Sequence, residues 1–382
     1  MRVLQFLPTV RAEVGGPARA VVDLCAALAQ RGHTVTLATT DGADAPQHWR
    51  QGGPGLPTLV EVPRPTLPTG VYTRSGMAPL RELINRHDLV HVHGAWQYMN
   101  IQVCKSATAA GKPYFISVRG MLDDWCMAQR GFKKRTYLSL AGRRWLEGAA
   151  RVHLTAQAEL DQARKWFPRG RGVVIPNLLD LAPFEKLPGP DAARAKFAAL
   201  KETRPAVLFL SRIHEKKGLE VLLRAAALLK RQEQPISLII AGSGDPSYVE
   251  SVKRLATELG LGPTEASFVG LVTGDLKLSL YQACDLFALA TSQENFGFVF
   301  VEALACAAPV ITTRGVDIWP ELEESGGAVI ADATPDAFAG AIGELLARRA
   351  DLPEMGQRGR KWVFRALDPK RVIERFEALY RL

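Results

Sequence analysis

Residues 285–313, which read DLFALATSQENFGFVFVEALACAAPVITT, constrain the fold more strongly than the rest of the chain. The short apolar run 285–290 is typical of a buried strand, and Thr291 and Ser292 end it. Residues 297–306 show helical spacing of apolar side chains, and Pro309 ends this helix before a second apolar run begins. This order of strand, loop, helix and strand predicts an open α/β sheet.

Two glutamates of this segment, Glu294 and Glu302, stand eight residues apart. Glu294 lies on the predicted loop at the carboxyl end of a strand, where open α/β sheets bind ligands. Glu302 follows on the helix, on the same side of the predicted crevice. The backbone N–H groups of Phe296, Gly297 and Phe298 open that helix and are suited to hold phosphate oxygens. The alternative is a solvated loop glutamate and a surface-helix glutamate, because a short motif is a hypothesis until its context agrees.

The composition indicates a globular chain that binds anions. Its 382 residues suffice for two domains, and 47% hydrophobic with 23% charged residues is typical of large packed cores. The net charge of +9 favours nucleotide diphosphates, lipid phosphates or nucleic acid as partners, and nucleic acid is the least supported because its motifs are missing. Five scattered cysteines predict neither disulfides nor a zinc site and fit a reducing cytoplasm. The sequence has no apolar run long enough to span a membrane.

The first half of the chain begins like a Rossmann domain. A strand at 1–7 leads into a glycine-rich loop at 11–17, a helix to about residue 30 and a second strand. Gly15 and Gly16 allow a backbone to approach a ligand closely. The full G-x-G-x-x-G fingerprint is absent, so dinucleotide binding is weakly supported, and a simple tight turn is the alternative. The Pro-rich segment 41–75, which includes Pro68, is predicted to be mostly loop.

Two polar residues follow further predicted strands of this half. His93 ends the apolar run DLVHVH, where it either lines the crevice or is satisfied by backbone hydrogen bonds. Arg119 follows the strand at 112–118 and is suited to bind phosphate or acceptor oxygens. The segment 130–151 interleaves basic and apolar residues, which favours binding to a membrane surface, while a core-packed helix with a charged outer face is equally consistent.

The second half repeats the strand-loop-helix pattern. The strand at 206–210 leads into SRIHEKKG, which places Arg212 and Lys217 on one loop that points into the crevice. The strand at 236–241 leads into a turn with Gly242, and the short strand at 267–270 is followed by Leu271. A solvated basic loop is the alternative for Arg212 and Lys217.

These motifs resemble the signatures of the retaining glycosyltransferases of family four, which have the GT-B fold. The resemblance is carried by ENFG followed by VEALACAAPVITT, by SRIHEKKG and by the AGSG turn. It implies that Glu294 contacts the donor sugar and that Glu302 contacts the nucleotide ribose. It also implies that Arg212 and Lys217 bind the donor diphosphate, so that these two cations and Glu294 form the catalytic set.

The same resemblance assigns further residues to substrate binding. The loop after the strand at 267–270 contacts the base, and the Gly15-Gly16 loop faces the donor phosphates and the acceptor. The segment RGMLDDW is similar to the HGMLDPW type in enzymes that build bacterial surface polysaccharides, with Arg119 where many relatives carry histidine. A role that needs a neutral imidazole is therefore not expected there. The expected binding residues are Gly15, Gly16, His93, Arg119, Gly242, Leu271, Asn295, Phe296, Gly297, Phe298 and Glu302.

The resemblance covers nearly the whole chain and implies two Rossmann-like domains that face each other across a deep cleft. The first comprises residues 1–178, with a terminal helix at about 366–382 that packs back on it, and the donor domain comprises residues 179–365. No D-x-D motif occurs, so neither a catalytic metal nor a cofactor is expected beyond the nucleotide-sugar donor.

The resemblance further implies transfer of a hexose-type sugar with retained configuration. The expected acceptor is a lipid-linked saccharide of exopolysaccharide, O-antigen or lipopolysaccharide synthesis, handled by a cytoplasmic enzyme that is peripheral on the inner face of the membrane. A soluble small-molecule acceptor, a catalytically inactive binding protein of the same fold and an NAD-dependent oxidoreductase are the alternatives. The oxidoreductase should carry G-x-G-x-x-G after its first strand, which this chain lacks.

Overall fold

The computed structural model describes residues 1–11, 15–67 and 70–381. The chain divides into two compact units, Met1–Leu179 with Pro369–Leu382 and Asp180–Asp368. Residues 12–14 of the predicted glycine-rich loop, and Pro68 of the predicted Pro-rich loop, lie outside the described residues.

Each unit contains one parallel sheet. The strands in chain order are β1 (Arg2–Phe6), β2 (Thr34–Thr39), β3 (Thr58–Glu61), β4 (Leu89–His93), β5 (Tyr114–Ser117), β6 (Arg151–Leu154), β7 (Gly172–Val174), β8 (Ala206–Leu210), β9 (Ser237–Ala241), β10 (Ala266–Gly270), β11 (Leu286–Ala288), β12 (Val310–Thr312) and β13 (Ala328–Ile330).

Helices connect successive strands. In chain order they are α1 (Gly16–Gln30), α2 (Ala78–Arg86), α3 (Tyr98–Ala109), α4 (Asp124–Ala128), α5 (Gly131–Tyr137), α6 (Arg143–Gly148), α7 (Gln157–Ala163), α8 (Ala182–Glu185), α9 (Asp191–Lys196), α10 (Leu219–Arg231), α11 (Pro246–Glu258), α12 (Gly274–Ala283), α13 (Phe298–Ala305), α14 (Trp319–Glu324), α15 (Pro335–Ala347), α16 (Leu352–Ala366) and α17 (Pro369–Tyr380).

The strand order of both sheets reverses once. The first sheet has the order β3-β2-β1-β4-β5-β6-β7, and the second has the order β10-β9-β8-β11-β12-β13. The reversals lie between β1 and β4 and between β8 and β11. At such a point the loops that follow the two neighbouring strands run to opposite faces of the sheet, which leaves room for a ligand at the carboxyl edge.

The strands are apolar because helices cover both faces of each sheet. All residues of β4 and β9 are buried, for example. The terminal helix α17 belongs to the first unit, where Val372, Ile373 and Phe376 join its core. Glu377 of this helix accepts hydrogen bonds from the Arg31 guanidinium at 2.9 and 2.8 Å, so an ion pair reinforces the apolar contact.

Two segments contain elements that the sequence did not predict. The described residues of 41–75 are mostly loop, as expected, but they include the four-residue edge strand β3, which is too short to show periodicity. The basic segment 130–151 is helical, and a π-helical turn, Leu138–Gly142, joins α5 to α6. An added Cβ at Gly142 would lie 2.8 Å from the Tyr137 ring, which explains the glycine at this wide turn.

Candidate functional site

In the second unit, the loops after β8 and β11 meet at the strand-order reversal. The first loop carries Arg212 and ends in a short 3₁₀ turn, Glu215–Lys217, before α10. The second loop carries Glu294 and ends at the start of α13. Because β8 and β11 are hydrogen-bonded neighbours, the predicted site residues of both loops lie at one edge of the sheet.

One carbonyl joins the two loops. The Lys216 carbonyl oxygen accepts hydrogen bonds from the Ser292 N–H at 2.8 Å and from the Thr291 hydroxyl at 3.1 Å. Gly218 has a φ of 66°, and a Cβ at this position would overlap the Ala290 carbonyl. The close approach of the loops therefore requires glycine here, and it fixes Lys217 against the second loop.

The side chains of Lys217 and Glu294 form an ion pair at this edge. The Lys217 side chain is 7% exposed and that of Glu294 is 22% exposed. Burial, with the nearby charges of Lys216 and Arg212, lowers the pKa of the Lys217 ammonium, whereas direct contact with the Glu294 carboxylate favours the charged form. The pair places a cation and a carboxylate together in a largely dehydrated corner of the sheet.

Backbone hydrogen bonds hold Glu294 in place. Its N–H donates to the Gly315 carbonyl at 2.8 Å, and its own carbonyl accepts from the Asp317 N–H at 2.9 Å. The neighbouring Asn295 donates its side-chain amide to the Asp317 carboxylate at 2.9 Å. The loop after β12 therefore supports the glutamate, a contribution that the sequence analysis did not identify.

The predicted helix opening has the expected local geometry. Gly297 has a φ of 62° and precedes α13, while Phe296 and Phe298 are buried with ring centroids 5.2 Å apart. The apolar rings anchor the start of the helix from both sides of the glycine. The backbone of the turn at Gly297 therefore lies at the carboxyl edge of the sheet.

Glu302 lies one turn further along α13 and is 2% exposed. Its carboxylate accepts hydrogen bonds from the Lys277 ammonium at 3.0 Å and from the Tyr281 hydroxyl at 3.4 Å. Both partners belong to α12, and the sequence analysis missed them. No sequence signal pointed to them, because the packing of α12 on α13 decides which side chains meet Glu302.

Two further predicted residues follow β9 and β10. Gly242 has a φ of 146°, and a Cβ there would overlap the Ser211 carbonyl, so the β9 loop lies directly against the loop of Arg212. Leu271, after β10, is 72% exposed. A large apolar side chain that is open to solvent is consistent with contact to a flat ring, but the structure itself assigns it no partner.

In the first unit, the predicted residues lie at the start of α1, at the end of β4 and after β5. Gly15 has a φ of 81° and caps α1, in which Gly16 is the first residue. His93 and Arg119 are buried side by side, and the Arg119 guanidinium donates to the His93 Nδ1 from two nitrogens, at 3.3 and 3.2 Å. His93 therefore bonds to side chains, and neither of the two interpretations proposed for it describes this contact.

Two other kinds of feature are absent from the described part of the chain. No group of three or more histidine, cysteine or acidic side chains there is arranged to hold a metal ion. No helix of residues 1–11, 15–67 and 70–381 is both long enough and apolar enough to cross a membrane.

Comparison with known families identifies the two units. Residues 15–178 match the family described as "Glycosyl transferase 4-like domain", and residues 192–362 match "Glycosyl transferases group 1". Each unit therefore carries a glycosyltransferase domain. The two Rossmann-like parallel sheets agree with the GT-B fold, and the NAD-dependent oxidoreductases considered as an alternative find no support in these matches.

Individual relatives of these domains are named for different substrates. The GDP-mannose-dependent alpha-(1-6)-phosphatidylinositol monomannoside mannosyltransferase of Mycolicibacterium smegmatis is 33% identical over 185 residues, 46% of this chain and 47% of the relative. The D-inositol 3-phosphate glycosyltransferase of Mycolicibacterium gilvum is 35% identical over 183 residues, 47% of this chain and 40% of the relative. The chain thus spans less than half the length of these curated relatives.

A solved structure supports the fold over the full length. HepE of Anabaena, in complex with UDP, superposes with a TM-score of 0.80 at 19% identity, with 100% of both chains covered. At this identity the likeness establishes the GT-B architecture and carries no assignment of donor or acceptor.

Proposed function

We propose that this protein transfers a hexose-type sugar from a nucleotide diphosphate sugar to an acceptor hydroxyl with retention of configuration. The observation that carries the proposal is the meeting of Lys217 and Glu294 at the strand-order reversal of the second unit. Arg212 on the same loop adds a second cation. The family assignment supports a nucleotide-sugar donor, and the Mycolicibacterium smegmatis relative is named for its dependence on GDP-mannose.

The proposed chemistry breaks the bond between the sugar C1 and the diphosphate oxygen and forms a bond from the acceptor oxygen to C1. Lys217 and Arg212 offset the charge that develops on the leaving diphosphate. The leaving phosphate oxygen takes the proton of the acceptor hydroxyl on the same face of the sugar, so retention needs no covalent intermediate. Glu294 orients the donor sugar, and Glu302 holds the ribose. No metal or cofactor is part of this proposal, and EDTA-treated protein is expected to stay active.

Donor identity and the role of Lys217 are tested together. Thermal stabilisation by UDP-, GDP- and ADP-sugars identifies the donor, because a ligand at 100 times its dissociation constant adds about 2.7 kcal/mol. Lys217→Ala is expected to lower kcat with that donor by about 100- to 1000-fold, since it removes one charge-stabilising group. NMR of the product then gives the anomeric configuration.

The control variant is Lys253→Ala, which removes an exposed lysine on α11. Its kcat should equal that of the wild type. Wild-type turnover in a folded Lys217→Ala protein would contradict the assignment, and an inverted product would contradict retention.

We further propose that the acceptor is lipid-linked and that an anionic membrane surface binds the segment 130–151. In this segment Phe132 is 88% exposed and Leu140 is 80% exposed, beside the exposed cations Lys133 and Arg135. Leu138 is buried, so one side of the segment packs on the core while two large apolar side chains face solvent. Cations beside exposed apolar groups suit the surface of an anionic bilayer, where each cation contributes about 1 kcal/mol.

Flotation with anionic and neutral vesicles tests this surface. Wild-type protein should float with anionic vesicles at low salt and much less at high salt. Lys133→Glu/Arg135→Glu should weaken binding at least tenfold. Lys134 is left unchanged because its ammonium contacts the Cys126 carbonyl and lies 5.2 Å from the Trp96 ring centre. Lys253→Glu/Arg254→Glu makes the same charge change on α11 and should bind like the wild type. Wild-type protein that stays with the unbound fraction at low salt would contradict the membrane proposal.

A soluble acceptor is the second candidate. It is favoured by the likeness to the D-inositol 3-phosphate glycosyltransferase of Mycolicibacterium gilvum. Transfer to inositol 3-phosphate with no vesicle binding would support it over the lipid-linked acceptor.

A further inference from the structure

Among the described residues 1–11, 15–67 and 70–381, the buried cation Arg119 forms hydrogen bonds only with neutral side chains. It is 7% exposed and has a φ of 51°. Among the residues that the structure describes, its guanidinium donates to the Nδ1 of His93 and, at 3.0 Å, to the Oδ1 of Asn177. Burial lowers the pKa of Arg119 to about 10, so the side chain stays charged at neutral pH. Because burying a charge among neutral groups is costly, the surroundings must compensate.

The carboxylate of Glu159 acts on Arg119 through space and favours its charge. Its oxygens accept hydrogen bonds from the Gly120 N–H at 2.6 Å, from the Thr155 N–H at 2.6 Å and from the Thr155 hydroxyl at 2.9 Å. Within the described part of the chain, direct hydrogen bonds to the guanidinium therefore come from the neutral side chains that it contacts.

These neutral side chains continue as an unbroken chain of hydrogen bonds through the first sheet. The links are His93 Nε2 to Gln5 Oε1 (2.8 Å), Gln5 Nε2 to the Tyr380 hydroxyl (3.1 Å), the Tyr380 hydroxyl to His91 Nδ1 (2.6 Å), His91 Nε2 to Ser117 Oγ (2.8 Å), Ser117 Oγ to His153 Nδ1 (2.7 Å) and His153 Nε2 to the Ile175 carbonyl (2.8 Å). We call this set the histidine chain. All its side chains are buried.

The arginine end determines the direction of the first links. A guanidinium only donates, so the His93 Nδ1 must accept, and a neutral His93 then carries its proton on Nε2. This N–H needs an acceptor, which fixes the side-chain amide of Gln5 with its oxygen toward His93. The Gln5 NH₂ then donates to the Tyr380 hydroxyl, which in turn donates to His91.

The Ile175 carbonyl at the other end of the histidine chain independently requires the same hydrogen-bond directions. A carbonyl only accepts, so His153 donates from Nε2, and its Nδ1 accepts from the Ser117 hydroxyl. The Ser117 oxygen then accepts from the Nε2–H of His91, whose Nδ1 must accept from Tyr380. Both ends therefore require all three histidines to be neutral Nε2–H tautomers, with every group donating away from Arg119.

Burial and charge favour this neutral form. Burial lowers the pKa of His91 and His93 well below the ordinary value and that of His153 to about 3. The ring centroids of His91 and His93 lie 4.3 Å apart, so a positive charge on one ring would disfavour protonation of the other.

We propose that Tyr380 is a positioning residue for Arg119, acting through the histidine chain. Aligned hydrogen bonds polarise one another, and every dipole in this chain turns its negative end toward the guanidinium. The Tyr380 hydroxyl is the link at which α17 closes the chain over β1 and β4. The functional part of the inference rests on the proposed function, in which Arg119 contacts substrate oxygens.

Tyr380→Phe removes the hydroxyl but keeps the packing of the ring, so the variant tests the hydrogen bonds alone. The Tyr380 ring lies 5.2 Å from Phe115 and 5.7 Å from His91 between centroids, and phenylalanine preserves both contacts. The variant removes the acceptor of Gln5 and the donor to His91. Tyr114→Phe is the matched control, because it removes another buried tyrosine hydroxyl of the same unit, which donates to the Trp145 carbonyl at 2.9 Å outside the histidine chain.

The first measurement is ¹⁵N NMR of histidine-labelled protein at pH 7. We expect three slowly exchanging neutral Nε2–H imidazoles in the wild type and in Tyr114→Phe. In Tyr380→Phe the His91 signals should shift toward a tautomer mixture. An Nδ1–H tautomer or an imidazolium at any of the three positions in the wild type would overturn the proposal. Ser117→Ala interrupts the chain on the other side of His91 and replaces Tyr380→Phe in both measurements if that variant does not fold.

The second measurement is a double-mutant cycle on transfer activity with Arg119→Gln. Tyr380→Phe should lower kcat about tenfold when Arg119 is present and less than twofold in the Arg119→Gln background. Equal effects in both backgrounds would overturn the positioning role, since a purely structural defect is indifferent to Arg119. If the wild-type protein transfers no sugar from any donor, the proposed function fails, and the NMR measurement alone decides whether the histidine chain exists.

Discussion

At the scale of single residues, ion pairs organise the candidate site of the second unit. Lys217 contacts Glu294, and Lys277 contacts Glu302 at 3.0 Å. In the proposed reaction each glutamate holds the position of a lysine and accepts hydrogen bonds from the donor. Removal of Glu294 leaves Lys217, which is 7% exposed, without this carboxylate partner.

The division of roles between the two glutamates is testable by separate variants. Glu294→Gln should lower transfer while leaving the affinity for the free nucleotide nearly unchanged, because this residue is proposed to contact the sugar. Glu302→Ala should weaken binding of the nucleotide itself, since it is proposed to hold the ribose. Isothermal titration calorimetry with the free nucleoside diphosphate measures both affinities. The reverse pattern would refute this assignment.

At the scale of elements, close packing of loops depends on a few glycines. Gly218 and Gly242 each lie where a Cβ would overlap a backbone carbonyl of a neighbouring loop. Both have positive φ angles, which L-residues with side chains rarely adopt. The loops after β8, β9 and β11 can therefore approach one another only with glycine at these positions.

Gly242→Ala is expected to destabilise the second unit by at least about 2 kcal/mol, because a positive φ and a carbonyl overlap act together. Gly340→Ala is the matched control. Gly340 lies within α15 with open space around its Cα, so alanine should stabilise the unit by roughly 0.5–1 kcal/mol. Urea unfolding with hydrogen exchange at β8 and β9 compares the two. Equal stability of both variants would show that the β9 loop is not closely packed in solution.

At the scale of the whole molecule, the terminal helix completes a unit whose other residues end at Leu179. Its apolar residues join the core of the first unit, and Tyr380 bonds to β1 and β4. Without this helix, the Gln5 side-chain amide nitrogen and the His91 Nδ1 would each lose the Tyr380 hydroxyl as a hydrogen-bond partner. The stability of the first unit is therefore tied to the last residues of the chain.

This arrangement predicts acid sensitivity of the first unit. The pKa values of His87, His91, His93 and His153 are lowered by burial, so the unfolded chain binds more protons as the pH falls below about 6.5. The contribution of these neutral histidines to the free energy of unfolding is fully present above that pH. It is lost as the pH falls toward the pKa of the folded state, which is about 3 for His153. Each fully shifted histidine contributes a slope of about 1.4 kcal/mol per pH unit.

Urea unfolding of the first unit between pH 8 and pH 5 measures this slope. His48→Gln changes an exposed histidine and should leave the slope unchanged. His153→Gln should reduce it by about 1.4 kcal/mol per pH unit. Constant stability of the wild type from pH 7 to pH 5 would contradict the presence of buried neutral histidines.

The sequence alone was sufficient for the features that local chemistry determines. Apolar runs separated by helical periodicity predicted the two α/β sheets, and glycines, prolines and charges after each run located the loops of Lys217 and Glu294. The sequence did not reveal strand β3, whose four residues are too few to show a pattern, or the π-helical turn, where Tyr137 and Gly142 pack in a way that periodicity does not encode.

Only the tertiary structure determined which side chains meet. Lys217 and Glu294 are 77 residues apart, Lys277 and Glu302 are 25 apart, and Gln5 and Tyr380 are 375 apart. Periodicity records how each segment is buried, but strand order and helix packing decide its neighbours, and neither is written in a single segment. For this reason DLVHVH predicted a buried strand, while the histidine chain through His91 and His93 became visible only when α17 was placed over the sheet.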